Sequence, residues 1–302
     1  MKRVLALALL LLLLLAVPAA AGTLPSEYVL PGTNVFPEGV TLRPGTDQFF
    51  VSSTGDGTVF RGTLGKPRLK VFLPPGEDGR VVSNGLRASR DHLVVAGSVT
   101  GLIFVYDIRT KKLARRFSTG PDGLINDVAI GPGGDAYVTD SRRGLLFRIP
   151  ASALAKRTGA TKRLQPFVRF SDTPVGSYSN GVVTAGRRYV LVVGLSTGVL
   201  GRVDLETKRV RAVKGVTLPV GDGLARTGHT LYGVNLAKQV TQVKLSRNWL
   251  SGTVVRDITS PSFHLPTTVQ VAGNRLLVVN SQFDQRGGTP VLPFTVSAVR
   301  RP

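Results

Sequence analysis

The chain has 302 residues, no cysteine, and 39 Lys and Arg against 18 Asp and Glu, a formal net charge of +21. Without cysteine it can carry neither a disulfide framework nor lipoprotein-type lipidation. The positive excess favours polyanions such as cell-wall polymers, anionic lipids or nucleic acid. However, the basic residues are scattered as pairs near turns (Lys111-Lys112, Arg115-Arg116, Arg142-Arg143, Arg187-Arg188). That pattern reads as a solvated basic surface, open to a polyanion or cell-surface contact, and specific nucleic-acid binding is not expected.

The first 21 residues read as an export signal. Lys2 and Arg3 form a basic start, residues 5–17 an apolar run, and Ala19-Ala20-Ala21 a small-residue cleavage site. An uncleaved anchor is the competing reading, disfavoured because the run is short for a membrane span and ends at Pro18. Cleavage near Ala21 would leave 281 residues, 37 of them basic and 18 acidic, with no transmembrane segment. The expected location is secreted or periplasmic. The length allows two ordinary domains or one large all-β domain.

A repeat favours the single domain. Glu38-Gly39-Val40-Thr41-Leu42 is echoed by Asn84-Gly85-Leu86-Arg87-Ala88 and Asn126-Asp127-Val128-Ala129-Ile130. Asn180-Gly181-Val182-Val183-Thr184, Asp222-Gly223-Leu224-Ala225-Arg226 and Thr267-Thr268-Val269-Gln270-Val271 complete the set. Their first residues lie 46, 42, 54, 42 and 45 positions apart. Periods near 40 to 50 residues with four short strands each point to propeller blades. In the third unit the strands are read at 128–130, 136–139, 145–149 and 162–170, separated by Gly-rich turns. Residues 151–161 account for the longer interval and read as one or two helical turns. The last unit has only three strands (269–271, 276–279, 294–299). Glu27-Tyr28-Val29-Leu30 can add the fourth and cover an otherwise unpaired edge. The expectation is an all-β, six-bladed β-propeller of four-stranded blades, the ring closed by an N-terminal strand.

Residues just ahead of equivalent inner strands converge on one mouth of a propeller channel. Here they are Glu38, Asn84, Asn126, Asn180, Asp222 and Thr267, all oxygen donors. Two carboxylates with amide carbonyls, and neither Cys nor His, suit a hard cation such as calcium. Asn-Gly and Asp-Gly are also ordinary turn dipeptides. Their common phase, and the exceptions Pro37-Glu38 and Asn126-Asp127, favour a site.

On these residues the chain resembles the calcium-dependent six-bladed propellers of the gluconolactonase, senescence-marker-protein and regucalcin type. It is similar also to their relatives, the diisopropylfluorophosphatase-like hydrolases and the paraoxonases. The resemblance implies a divalent metal held by Glu38, Asn126, Asn180 and Asp222, with calcium favoured and magnesium, manganese or zinc accepted. It implies hydrolysis of a small-molecule lactone or related ester. Asp222 would act as ligand and as base or nucleophile, and Asp127 would orient water or a ligand. Asn84 and Thr267 are expected at the substrate. His264, at the entry to the last unit, is a further catalytic candidate, although a lone His there is commonly a packing or capping residue. His92 and His229 start second strands and read as structural. No arginine clamp for a sugar-acid carboxylate is evident.

Gly194-Leu195-Ser196-Thr197-Gly198 fits a nucleophile-elbow pattern, but that device needs a strand, a sharp turn and then a helix. Here the following residues continue as a strand, and Gly97 to Gly101 is the equivalent turn two units earlier. A hairpin is expected. The alternative to a hydrolase is a non-catalytic propeller that binds a ligand or polyanion.

Overall fold

The computed structural model describes residues 24–155, 160–235 and 239–302; the predicted export signal lies outside them. The architecture is all-β. Strand β1 (Glu27–Val29) precedes a first sheet of β2 (Pro37–Leu42), β3 (Gln48–Ser53), β4 (Val59–Thr63) and β5 (Lys66–Leu73). Next come β6 (Leu86–Ala88), β7 (His92–Ala96), β8 (Leu102–Asp107) and β9 (Leu113–Ser118). They are followed by β10 (Ile125–Ile130), β11 (Ala136–Asp140), β12 (Leu145–Ile149), the one-turn helix α1 (Ala151–Ala155), β13 (Thr161–Arg163) and β14 (Pro166–Arg169). A further sheet holds β15 (Ser179–Ala185), β16 (Tyr189–Gly194), β17 (Val199–Asp204) and β18 (Val210–Thr217). The next holds β19 (Gly221–Thr227), β20 (Thr230–Asn235), β21 (Gln239–Leu245) and β22 (Gly252–Ile258). The chain ends with β23 (Pro266–Ala272), β24 (Arg275–Asn280) and β25 (Thr295–Arg300). Among the described residues no helix is long and apolar enough to cross a membrane.

Burial falls from the inside outward and explains the sequence pattern. Second strands such as β16 (YVLVVG) are near-continuous apolar runs because neighbouring sheets cover both of their faces. Fourth strands such as β18 and β22 are largely exposed and mix charged residues with valines. Each core cluster fills the gap between two adjacent sheets. Phe50, Val59 and Phe72 of the first sheet meet Leu93, Phe104 and Tyr106 of the second. Tyr28, Leu277 and Val296 meet Val40, Phe49 and Phe60, which joins the end of the chain to its beginning. The first strands also follow one another in contact, β2 on β6, β6 on β10, β10 on β15, β15 on β19, β19 on β23, and β23 back on β2.

The N-terminal strand takes the place expected of it. β1 pairs antiparallel with β25, Glu27 opposite Ser297 and Val29 opposite Thr295. A parallel bridge from Val29 to Arg68 also ties it to β5. Tyr28 is fully buried, packs edge-on against Phe49 at 4.9 Å, and donates its hydroxyl to the Leu64 carbonyl at 2.7 Å.

One element departs from expectation. The outer strand predicted at 162–170 divides in two. Only Pro166–Arg169 pairs with β12, whereas Thr161–Arg163 crosses to run parallel to β9 of the preceding sheet. Pro166 has no N–H to extend a ladder. The open edge of β9 accepts the segment before it, where Arg116 donates to the Thr161 hydroxyl at 2.7 Å.

Candidate metal centre

Five of the six phased polar residues lie inside the first strands, not ahead of them, and a β-bulge places them there. In β2 the register slips between Pro37, opposite Ser53, and Val40, opposite Val51. Glu38 and Gly39 therefore face the single residue Ser52. The same two-for-one slip holds Asn126 and Asp127 in β10, and Asn180 and Gly181 in β15. It recurs at Asp222 and Gly223 in β19, and at Thr267 and Thr268 in β23. A bulge bends its strand and re-aims a side chain that regular pleating would send elsewhere. Its freed N–H needs an acceptor. Ser52 Oγ supplies one to Gly39 N at 2.8 Å and Thr139 Oγ one to Asp127 N at 3.0 Å.

The glycines here are not turn residues. Gly39, Gly85, Gly181 and Gly223 lack positive φ. Each sits where the next first strand approaches too closely for a side chain. A Cβ on Gly181 would lie 2.3 Å from the Asp222 carbonyl oxygen, and one on Gly85 2.5 Å from that of Asn126. In β10 the corresponding place is taken by Asp127, whose Oδ1 accepts from Val128 N at 2.7 Å. Its Oδ2 accepts from Val182 N of the next strand at 2.9 Å. Both oxygens are engaged by backbone, so Asp127 braces two strands.

The remaining residues of the set present oxygen with nothing to receive. Glu38 (4% exposed), Asn126 (6%) and Asn180 (4%) are buried. Their Glu38 Oε2, Asn126 Oδ1 and Asn180 Oδ1 have no hydrogen-bond partner. Asn126 is fixed by donating Nδ2 to Ser141 Oγ at 2.9 Å, which leaves its carbonyl end for the centre. Asp222 lies beside the Asn180 amide and the Gly223 N–H, both of which favour its charged form. Burial, and then the negative charge of Asp127, push Asp222 up to about 8 despite those two donors. Burial, with Asp222 and Asp127 adding repulsion, raises Glu38 well above the carboxylate range. Burial also raises Asp127, against the opposing pull of Arg87 and of its backbone donors. Orphaned buried acceptors are uncommon in folded proteins, and three of them in one set with crowded carboxylates are donors that would fit a cation. Among the described residues no three His, Cys, Asp or Glu side chains make a metal cluster. A set of one Glu, one Asp and two Asn would not, because half its donors are amides.

The other sequence candidates are placed differently. Asn84 lies just before β6, half-buried, its N–H donating to the Ala96 carbonyl. Thr267 is fully buried and donates its hydroxyl to the Glu38 carbonyl at 2.9 Å. It fastens the last first strand to the first one. His264 is exposed in the connection before β23, held through its backbone N–H to Asn280 Oδ1 at 3.1 Å. Gly194 to Gly198 joins β16 to β17 as a hairpin, as expected. A residue missed from sequence is Arg87. From β6 it donates Nε to the Val128 carbonyl and Nη1 to Gln270 Oε1, both at 3.1 Å, and its charge faces Asp127. The signal was present as a lone basic residue on an otherwise apolar first strand.

No protein family matches the chain. Over 128 residues it is 28% identical to a guanine nucleotide-binding protein β subunit of Oryza sativa subsp. japonica, 41% of this chain and 33% of that protein. The chain thus spans about a third of the length of the curated relatives it matches. Among solved structures it is similar to the major allergen Mala s 1 of Malassezia sympodialis (TM-score 0.69, 13% identity, 91% of this chain and 96% of that one). It is similar also to virginiamycin B lyase from Staphylococcus aureus (TM-score 0.60, 10% identity, 91% and 98%). The RRP9 WD40 repeats align comparably (TM-score 0.60, 9% identity, 91% and 98%). The shared fold is a β-propeller. These likenesses support the propeller and not the gluconolactonase family in particular.

Proposed function

We propose that the chain is a six-bladed propeller that holds a divalent cation, calcium by preference, with Glu38, Asn126, Asn180 and Asp222 as its ligands. The observation that carries this reading is a set of three unpartnered buried oxygens, one from each of three first strands, with a carboxylate on a fourth that burial and charge push up. An all-oxygen set of this kind suits a hard cation. When bound, the cation would supply Lewis acidity toward a carbonyl or phosphoryl oxygen, and the reaction we assign is hydrolysis of a lactone or related ester.

The chain's own residues divide the remaining work. Asp222, beside the Asn180 amide, is the base or nucleophile. Asp127 and Arg87 hold β10 against β15 and β6, so that Asn126 and Asn180 keep their spacing. Asn84 and His264 stand at the margin, where a substrate would be met. We further assign residues 1–21 to an export signal.

Calcium titration followed by calorimetry and thermal unfolding tests the site, and a lactone and aryl-ester screen with and without chelator tests the activity. Loss of both in Asp222→Ala and Asn126→Ala is expected. Turnover surviving in both variants would contradict the mechanism, and an absent calcium response would remove the site. A second reading, a propeller that binds without turnover, draws on exposed Arg187, Arg209 and Arg211. None of these has an acidic partner among the described residues. Salt-sensitive binding to anionic polymers without hydrolysis would favour it.

A further inference from the structure

Past the bulges, the first strands enclose a second polar feature of opposite sign. A cavity of about 140 Å³ is walled by Arg87 of β6, Arg226 of β19 and Gln270 of β23, with Ala129, Val183 and Ala225 forming an apolar floor. No Asp or Glu lines it. Both guanidinium groups are fixed by backbone acceptors. Arg87 holds the Val128 carbonyl and Gln270 Oε1. Arg226 donates Nε to the Thr184 carbonyl at 2.6 Å and Nη1 to the Gly228 carbonyl, and its guanidinium lies 5.1 Å over the ring of Trp249. In each case Nη2 has no acceptor among the hydrogen bonds of the described residues.

Arg87 is partly balanced by Asp127. Burial holds Arg226 below its ordinary value, and no carboxylate offsets it. Arg226 is half-buried, and a partly desolvated cation without a counter-charge gains from a neighbouring anion. The cavity is too small for a polymer and has room for a few heavy atoms.

We infer that this cavity binds a small carboxylate anion between Arg87 and Arg226, separate from the cation site. Planar guanidinium forks match a carboxylate through paired N–H···O bonds, and the alanine and valine floor accommodates a short alkyl stub. The inference does not depend on hydrolysis or on the cation.

Trp249, the only tryptophan in the chain, reports on the site because it lies under Arg226 and is stacked on His229 at 4.1 Å. The experiment titrates the protein with sodium acetate while a bulky sulfonate keeps ionic strength constant, following Trp249 emission and the melting temperature. A saturable change in both is expected, with affinity at least tenfold weaker in Arg226→Gln and several-fold weaker in Gln270→Leu. Gln270 lines the cavity from β23, whereas the ring of Trp249 is met by Arg226 and His229. The inference is overturned if acetate gives no saturable change, if the sulfonate or chloride gives an equal one, or if the variants bind as wild type. Should Arg226→Gln fail to fold, unchanged acetate affinity in Gln270→Leu is sufficient to overturn it.

Discussion

The two ends of the first strands are built from the same segments and have opposite character. At the bulged end, Glu38, Asn126, Asn180 and Asp222 bring acceptor oxygen together, and burial and mutual repulsion raise the carboxylates above their ordinary range. At the regular end, three or four residues on, Arg87 and Arg226 bring donors together over an alanine and valine floor. β19 carries both, Asp222 in its bulge and Arg226 near its close. The difference teaches that backbone register, more than composition, separates the two. The bulge turns short acceptors inward where strands crowd, and long guanidinium side chains reach across where the pleat is regular and room remains.

The largest perturbation should abolish the contrast by loosening the ring itself. Tyr28→Ala removes a fully buried ring from the seam between the last and first sheets, and a loss of roughly 3–5 kcal/mol is expected for such a truncation. Denaturant unfolding measures it, and both ends should lose their ligands together. Retention of calcium at full affinity in this variant would show that the bulged end does not rely on ring closure.

Calcium sharpens the comparison at one end alone. At a concentration about a hundred times its dissociation constant it should stabilise the fold by about 2.7 kcal/mol. Glu38→Gln and Asp222→Asn should remove that gain and leave the acetate response of Trp249 unchanged. The effect also depends on pH. Asp222 has a folded-state value raised to about 8, so the folded chain retains a proton that the unfolded chain releases near 4. Without cation, this group's stability is full below about pH 4 and is lost as pH rises toward 8. Saturating calcium, which displaces the proton, should flatten or reverse that slope in melting temperatures taken across pH 5 to 8. An identical slope with and without calcium would contradict the assignment of Asp222 as a ligand.

A smaller effect probes the backbone that sets the register. Gly181→Ala places a methyl group against the Asp222 carbonyl and should cost about 1–3 kcal/mol through local overpacking. Because the strain falls between β15 and β19 at their bulges, calcium affinity should drop more than acetate affinity. Equal losses at both ends would mean that the two are coupled through the whole strand.

The repeat was legible because each unit carries an apolar second strand such as Leu93-Val94-Val95 or Leu191-Val192-Val193, and such runs recur at a readable interval. The N-terminal strand was legible by elimination, since Thr295–Arg300 left an edge that needed a partner. The bulges were not, because a two-for-one register belongs to a pair of strands, and Asn180-Gly181 read alone has the form of a turn. Why Gly181 is glycine appears only when the Asp222 carbonyl is seen beside it. Thr267 shared the phase of the ligands and Asp127 that of the glycines after them, but their side-chain oxygens are engaged by backbone partners that no sequence spacing reveals. Arg87 stood in plain view in the second unit, and only its reach to Val128 and Gln270 gives it a place.

The pairing of Glu27 with Ser297 also bears on how the molecule reaches this state. The contact joins positions near the two ends of the chain, so its formation carries the loop-closure entropy of almost the entire polypeptide. Sheets built from consecutive hairpins can form locally, but the final seam must wait for the most distant encounter in the sequence. Topology of that kind folds slowly, and its last rate-limiting event should be the docking of an eight-strand assembly from both termini. Until then the strands that will flank the seam remain open edges, and the time spent in that condition sets the window in which one chain can mispair with another.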